Sequence, residues 1–259
     1  MSEQVREWLT PYGARRVAVE KMILPPQAEE GRAPLLICSS ENIEEMLELA
    51  LDGEDSICSY VEKMTQAVEQ SSAQQILRQI ANDALVALGE DAGELGEALE
   101  LETSYQAYIR QWDEGITMFD ETMTIEEDRA REGSEPAWPD STWIERHEEG
   151  ELLLLDLPIA DAWQAPFIVP MGGYNECPQP FEQAVLFRDW QQRFDAVPTA
   201  VAQDTWLLQV KRRPQTREEA LHLAKEHVMF CQYVLESFET IGQYAEYLQQ
   251  ADRWEFWWD

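Results

Sequence analysis

The sequence is short of basic residues and lacks the short motifs by which many enzymes are recognised. Lysine and arginine together number 19 against 51 aspartates and glutamates, which gives a formal net charge of −32. There is no Gly-x-Gly-x-x-Gly or Gly-x-x-x-x-Gly-Lys phosphate-binding loop, no His-Glu-x-x-His pair and no Gly-x-Ser-x-Gly turn. Nothing in the sequence therefore indicates dinucleotide binding, nucleotide hydrolysis, zinc proteolysis or serine hydrolysis.

Long apolar runs and closely spaced cysteines are also missing. No apolar run approaches the roughly 20 residues needed to cross a bilayer. Residues 1–7 have neither a basic n-region nor an apolar h-region, so no secretory signal is expected. The four cysteines are Cys38, Cys58, Cys177 and Cys231, and their separations do not resemble metal-binding spacings. We therefore expect reduced thiols, a cytoplasmic location and no membrane partner.

The excess of acidic residues predicts the kind of partner. A strongly negative chain repels nucleic acid and anionic membranes and attracts basic proteins. The only basic cluster is at residues 211–213, and three positive charges are a weak footprint for nucleic acid binding. Acidity also serves solubility alone, and that interpretation stays open beside the first.

Apolar periodicity predicts an α+β fold with a helix-rich N-terminal region. We expect strands over residues 15–23 and 34–38, and helices over residues 42–51, 56–70, 72–88 and 105–119. Asn42 and Glu45 are spaced to form a capping box at the start of the first helix. The acidic N-terminal region is predicted to span residues 1–131, followed by a linker or exposed loop over residues 132–142, where glycine and proline accumulate.

Residues 143–259 are predicted to form a mixed α/β unit with a central sheet, packed against the N-terminal region. We expect helices over residues 181–194, 216–236 and 241–248, and strands over residues 152–157, 166–170, 197–201, 205–210 and 254–259. Proline at both ends favours an edge position for the strand over residues 166–170. Thr216 and Glu219 predict a capping box for the helix over residues 216–236.

The chain ends on aromatic residues that alternate as in a strand. Trp254, Phe256 and Trp258 fall on one face, and Trp257 falls on the other. We expect the first face to pack in the core, against the stripe of helix 216–236 that includes Leu223, His227 and Cys231. An exposed docking patch is the alternative, since tryptophan is enriched at binding hot spots, and Trp257 is the best candidate for such a contact.

Several motifs in residues 150–259 resemble one known family. They are the turn Gly-Gly-Tyr-Asn-Glu-Cys-Pro at residues 172–178, a helix with Trp190 and Arg193, the segment Arg-Pro-Gln-Thr-Arg-Glu-Glu-Ala-Leu at residues 213–221, and the ending Trp-Glu-Phe-Trp-Trp-Asp. This region resembles the bacterial family called "domain of unknown function 4253". The family carries no settled activity, so the resemblance implies a fold unit and no reaction. The residues that match its motifs are Asn175, Glu176, Trp190, Arg193, Glu226, Trp254 and Asp259.

The sequence also departs from the pattern of that family. Asp195-Ala196 stands where members often have glycine before the alanine, and Cys231 is followed by Gln232-Tyr233 where they often have Pro-Asp. A polar site built on that Pro-Asp pair would be missing here.

One group of residues suggests chemistry. His227 and Cys231 are spaced i, i+4 on a predicted helix, and Cys177 lies in the turn. The three side chains could bind zinc or activate a cysteine nucleophile. A core histidine flanked by buried thiols is the simpler interpretation, because the rest of this helix stripe is apolar. Asn175 and Glu176 have a structural alternative as caps of the turn, and His222 with Glu226 is predicted to be an exposed, solvated pair.

Two functions therefore stay open. The first is a cytoplasmic binding protein that neutralises a basic partner, as immunity proteins and antitoxins inhibit toxic effectors such as nucleases. The second is an enzyme of unknown reaction with a pocket lined by Asn175, Glu176, Cys177, His227 and Cys231. We assign no catalytic residue, metal ligand or cofactor from the sequence, and the partner-binding surface stays unassigned.

Overall fold

The computed structural model is an α+β protein whose core is a six-stranded mixed sheet. It describes residues 2–18, 28, 31–91, 95, 100–113, 151–173, 175–238 and 240–258. Two compact units are present. The sheet unit comprises residues 1–71, 140–212 and 252–259, and the helical unit comprises residues 72–139 and 213–251.

The strand order of the sheet is β1-β3-β2-β4-β5-β6. The strands are β1 (Arg15–Arg16), β2 (Arg32–Cys38), β3 (Leu152–Pro158), β4 (Val197–Val201), β5 (Thr205–Gln209) and β6 (Arg253–Trp257). Neighbouring strands are antiparallel, with the exception of β2 and β4, which are parallel. Leu152 to Leu155 of β3 are all buried, so both faces of this strand are covered. A strand covered on both faces needs a continuous apolar run, which this segment provides.

The helices of the sheet unit are α1 (Glu3–Leu9), α2 (Glu41–Leu51), α3 (Ile57–Glu69), α6 (Ala165–Ile168) and α7 (Pro180–Phe194). Ser40 caps α2, since its hydroxyl accepts the backbone N–H of Ile43 at 3.3 Å. The predicted capping box of Asn42 and Glu45 is therefore wrong, and the helix begins two residues before its predicted cap would allow. A short serine side chain just before the helix satisfies the free N–H groups equally well.

The helical unit contains α4 (Ala73–Ala87), α5 (Leu101–Asp113), α8 (Arg217–Phe230) and α9 (Ile241–Leu248). Ser72 and Gln75 form a complete capping box at the start of α4. The Thr216 hydroxyl accepts the Glu219 N–H at 3.1 Å, as predicted, whereas the Glu219 carboxylate accepts the N–H of Gln215 instead of that of Thr216.

Two predicted elements differ from the structure. Residues 166–170 are not an edge strand, because Ala165–Ile168 form α6 with Pro166 in its first turn. Proline is tolerated there, since the first N–H groups of a helix have no partner within the helix. The helix predicted over residues 216–236 ends at Phe230, where Cys231 adopts an extended conformation before a short 3-10 turn at Gln232–Leu235.

The predicted division of the chain concerns regions that the structure describes only in part. The linker over residues 132–142 lies outside the described residues, as do parts of the strand over 15–23 and of the helix over 105–119. Both units combine segments from the N-terminal and C-terminal parts of the chain. Among the described residues, no helix combines the length and the apolar character that crossing a membrane requires.

The final strand places its aromatic residues as the alternation predicts. Trp254, Phe256 and Trp258 are at most 1% exposed, and Trp257 is half-buried. Within the sheet unit, Trp254 and Phe256 contact α7. The ring of Trp190 stacks on Phe256 at 5.4 Å and meets Trp254 edge-on at 5.9 Å. The predicted packing against the helix over residues 216–236 stays a prediction.

Replacement of Phe256 by alanine is expected to destabilise the protein by about 3–5 kcal/mol, because it removes a fully buried ring stacked on Trp190. Trp257→Ala is the matched control from the same strand and is expected to cost less, since Trp257 is only half-buried. Urea unfolding followed by far-ultraviolet circular dichroism measures both. Equal losses for the two variants would contradict the core assignment of the tail.

Candidate functional site

The turn at residues 172–178 closes over a buried glutamine. Gln183 of α7 is fully buried, and its Nε2 donates to the carbonyl oxygens of Met171 at 3.0 Å and Pro178 at 2.7 Å. Its Oε1 accepts the indole N–H of Trp206 at 2.9 Å. One side chain thus joins both ends of the turn to strand β5. Each of these buried hydrogen bonds is costly to break, because the group left behind would be unsatisfied.

Gly172 is required by the same arrangement. Its φ of +121° favours glycine, and a Cβ at this position would lie 3.1 Å from the Cys177 sulfur and 3.2 Å from the Pro178 carbonyl oxygen. Cys177 is 5% exposed, and its sulfur is 3.8 Å from the Met171 sulfur. The cysteine of the motif therefore has a packing role within the turn.

Two polar residues of the turn face solvent. Asn175, with a φ of +45°, and Glu176 are both exposed, and Tyr174 lies outside the described residues. The structure does not gather Asn175, Glu176 and Cys177 into one pocket, since the first two point outward while the third is buried. The buried amide of Gln183 is the centre of the turn, and the predicted capping role of Asn175 and Glu176 stays a prediction.

Sequence reasoning missed Gln183. A signal was present, because Gln183 precedes Leu186, Phe187, Trp190 and Phe194 at helical spacing, so that it falls on the apolar stripe of α7. A lone amide on such a stripe must find hydrogen-bond partners inside the protein. Its partners, two backbone carbonyls and an indole, could not be identified from the sequence.

Trp190 and Arg193 of the family pattern also have structural roles. Trp190 is fully buried between Phe187 and the rings of β6. The Arg193 Nη1 donates to the Asp189 carboxylate at 2.7 Å, and its guanidinium lies 4.8 Å from the centre of the Phe194 ring. Asp259 lies outside the described residues.

His227 and Cys231 lie in the helical unit, whereas Cys177 lies in the sheet unit. His227 is fully buried, and its Nδ1 is 2.8 Å from the hydroxyl of Tyr244 on α9. Burial raises the pKa of Tyr244 well above 10, and Tyr247 and Cys231 raise it further, so the phenol stays neutral. Cys231 is 1% exposed where α8 ends. The contacts of His227 support its interpretation as a core histidine.

Side chains of the described residues do not provide three histidines, cysteines or carboxylates close enough together to hold a metal ion.

Glu226 is placed differently from the prediction. It was expected to be solvated together with His222, but its side chain is 4% exposed while that of His222 is 53% exposed, with 3.2 Å between Glu226 Oε1 and His222 Nε2. Every residue from Leu223 to Phe230 is buried, so the second half of α8 is covered on all sides. Periodicity predicts one buried face of a helix and therefore placed Glu226 on the wrong side.

Glu226 and His222 line a cleft of about 220 Å³ within the helical unit. Its other lining residues come from the first turns of α4 and α5, and they are Ala73, Gln74, Leu77, Glu100, Leu101 and Ser104. Lys225 lies beside the cleft but is held by Glu102, at 2.7 Å, and by the ring of Tyr105, at 5.3 Å from Nζ to the ring centre.

The Lys225–Glu102 ion pair lowers the pKa of the Glu102 carboxyl group. The hydrogen bond from Lys225 lowers the pKa of Glu102 from 4.5, and it outweighs partial burial, which raises the pKa. A second hydrogen bond, from Gln106 at 2.8 Å, lowers it further. Because the folded protein holds Glu102 ionised more strongly than the unfolded chain does, the ionised form stabilises the fold at neutral pH.

Gly172→Ala is expected to lower the free energy of unfolding by about 2–4 kcal/mol, through backbone strain and the approach of the new methyl group to Cys177 and Pro178. Gly173→Ala is the matched control, since Gly173 also has a positive φ of +78° but no atom within 4 Å of the added Cβ. Thermal and urea unfolding compare the two. A Gly173 variant as unstable as the Gly172 variant would show that only the backbone conformation matters.

Glu102→Gln is expected to destabilise the protein at pH 7 by up to about 1 kcal/mol, a modest loss because Glu102 is 59% exposed and screened by solvent. The lowered pKa means that this contribution is present above pH 4.5 and is lost as the pH falls through the folded-state pKa. Urea unfolding of both proteins between pH 7 and pH 3 should show the two stabilities converging. The exposed Glu218, replaced by glutamine on the same unit, is the control and should change stability by less than about 0.5 kcal/mol. A difference that stays constant with pH would contradict the assigned role of the ion pair.

Comparison with known proteins relates part of the chain to a family. No curated protein and no solved structure matches the chain significantly. Residues 153–259 match the model of the family described as Domain of unknown function (DUF4253), which confirms the resemblance that the motifs of this region indicated.

Proposed function

We propose that the protein is an acidic binding protein that neutralises a basic partner protein, in the manner of an immunity protein or antitoxin that inhibits a toxic effector such as a nuclease. The net charge of −32 is the observation that carries the proposal. A nuclease binds its substrate through a basic surface, and an acidic protein that covers this surface excludes the nucleic acid. The proposal includes a cytoplasmic site of action.

Nine basic side chains of the described residues pair with the protein's own carboxylates, which supports the proposal. The ion pairs are Arg6 and Arg16 with Glu151, Arg32 with Asp156, Lys63 with Glu54, Arg110 with Glu90, Arg193 with Asp189, Arg212 with Asp195, Arg217 with Glu246, and Lys225 with Glu102. Since acids outnumber bases by 51 to 19, many carboxylates are left without such a neighbour. Their field attracts a basic protein and accelerates its association at low salt.

Helix α2 presents the surface that fits such a partner best. Glu41, Glu45, Glu48 and Asp52 are exposed and follow one another at spacings of four, three and four residues, so they share one side of the helix. We call this side the α2 acidic face. Leu49, which is 77% exposed, lies beside it. The opposite side of α2 is fixed in the core through Ile43, Leu47 and Leu51, so the face is held rigidly.

The combination suits a protein interface better than a purely solubilising surface. Carboxylates steer a basic partner and set its orientation, and an exposed leucine offers apolar area that becomes buried on contact.

The enzyme hypothesis, with zinc or a reactive thiol at Cys177, His227 and Cys231, stays a prediction. Metal analysis and thiol labelling of the folded protein test it. Bound zinc, or rapid labelling of Cys177 or Cys231, would favour it over the binding function. Cys58 is exposed and is replaced by serine for this experiment, so that its labelling does not obscure the result.

Double charge reversal of the α2 acidic face, Glu45→Lys with Glu48→Lys, is expected to weaken partner binding by tenfold or more, because attraction becomes repulsion. The tagged full-length protein is used to capture partners from cells of its source, and the captured protein is then purified and its affinity measured between 50 and 500 mM salt, as roughly the range over which screening becomes strong. Reversal of two exposed acids on α3, Glu62→Lys with Glu69→Lys, changes the net charge equally and is the control.

The proposed function predicts three results of this experiment. The partner must be basic, its affinity must fall with salt, and its toxic activity must decrease when the protein binds. Capture of no basic protein, or an affinity indifferent to salt, would overturn the proposal. A basic partner that binds both double variants equally would leave the function intact and remove the α2 acidic face from it.

A further inference from the structure

The cleft of the helical unit has the composition of a small ligand site. Three apolar residues, Ala73, Leu77 and Leu101, form part of its lining. The polar part of the lining is Gln74, Glu100, Ser104, His222 and Glu226. A volume of about 220 Å³ is below the range of about 300–1,000 Å³ that is usual for ligand pockets. The cleft therefore suits a group of the size of one amino-acid side chain and is too small for a nucleotide cofactor.

The polar lining combines the buried residues Ser104 and Glu226 with the exposed residues Gln74, Glu100 and His222. Ser104 is 2% exposed, and the structure shows no hydrogen bond from its hydroxyl to another described residue. Because Ser104 also lines the cleft, its hydroxyl is available to a ligand there. Glu226 lies on α8, where its carboxylate contacts His222. Glu100 is exposed and directly precedes α5.

The charge of the lining favours a cation. Glu100 and Glu226 both contribute carboxylates, of which Glu226 already contacts His222 at 3.2 Å, and the ammonium of Lys225 is directed to Glu102 and the Tyr105 ring. Helix amino ends attract anions, and both α4 and α5 begin at the cleft. The amino end of α4 is already capped by Ser72, however, and α5 carries acids in its first turn, so an anion would meet repulsion there.

We propose that this cleft binds a guanidinium group carried on an aliphatic stem. The planar guanidinium donates five N–H groups in a fixed arrangement, which can satisfy a carboxylate and the Ser104 hydroxyl together. The apolar residues of the lining accommodate the methylene stem, as they do for arginine side chains that bury the stem and keep the charge at a polar end. The inference is independent of the proposed function, because it names no partner protein.

Titration of the full-length protein with butylguanidinium, monitored by proton–nitrogen NMR at 150 mM salt, tests the proposal. Saturable shifts are expected at the amides of Ser104, His222 and Glu226. N-acetyl-citrulline amide, a neutral isostere of arginine, is expected to produce none. N-acetyl-arginine amide identifies the source of the group. Binding of this compound assigns the cleft to an arginine side chain of a protein, and its failure beside butylguanidinium binding assigns it to a free small molecule.

Glu100→Gln and Ser104→Ala are each expected to weaken butylguanidinium binding about tenfold, the effect of removing one charge-assisted or buried hydrogen bond. Glu100 is exposed, so the first variant keeps the fold even if the second is destabilised. Glu218→Gln removes an exposed carboxylate of α8 outside the cleft and is expected to bind as the unchanged protein does. The proposal fails if butylguanidinium does not saturate, if the citrulline compound binds equally, or if Glu100→Gln binds with unchanged affinity.

Discussion

The pairing of β2 with both β3 and β4 is the constraint on which the sheet depends. β2 lies between these strands, antiparallel to β3 and parallel to β4. β3 and β4 belong almost wholly to the region that matches the family, whereas β2 comes from residues 32–38, outside it. The family region alone would leave β3 and β4 without the strand that joins them. The N-terminal segment is therefore part of the same core, and the sheet unit cannot be divided at the boundary of the family match.

Local patterns predicted most elements, and they failed where a buried environment overrides periodicity. The Leu152–Leu155 run and the alternating tail each carry their signal within a few residues, and each forms as predicted. Proline at both ends of residues 166–170 favours an edge strand, although proline is also accepted in the first turn of a helix, where Pro166 lies. The sequence contains no local signal that distinguishes the two. The strand order and the discontinuous units depend on contacts between distant segments, which periodicity does not reveal.

The candidate site was predicted in part, for a physical reason. The importance of the motif residues stays a prediction, whereas Gln183 was missed and Glu226 was predicted to be solvated but is buried. Both are buried polar side chains, and their structural role depends on the groups that they contact in the folded protein. Burial of a polar group is tolerated only when the rest of the fold supplies its hydrogen-bond partners. Such groups are therefore informative once a structure is present and ambiguous before it.

The position of β6 has a consequence for the order of events during synthesis. β6 pairs with β5 through residues 253–257, and the rings of Trp254 and Phe256 complete the buried cluster around Trp190. Residues 213–251, which belong to the helical unit, are made before this strand. The sheet unit therefore stays open at one edge, with Trp190 uncovered, until residues 253–257 have left the ribosome. During that interval an unpaired strand and a large aromatic surface are exposed, which is the condition under which nascent chains associate with chaperones or with one another.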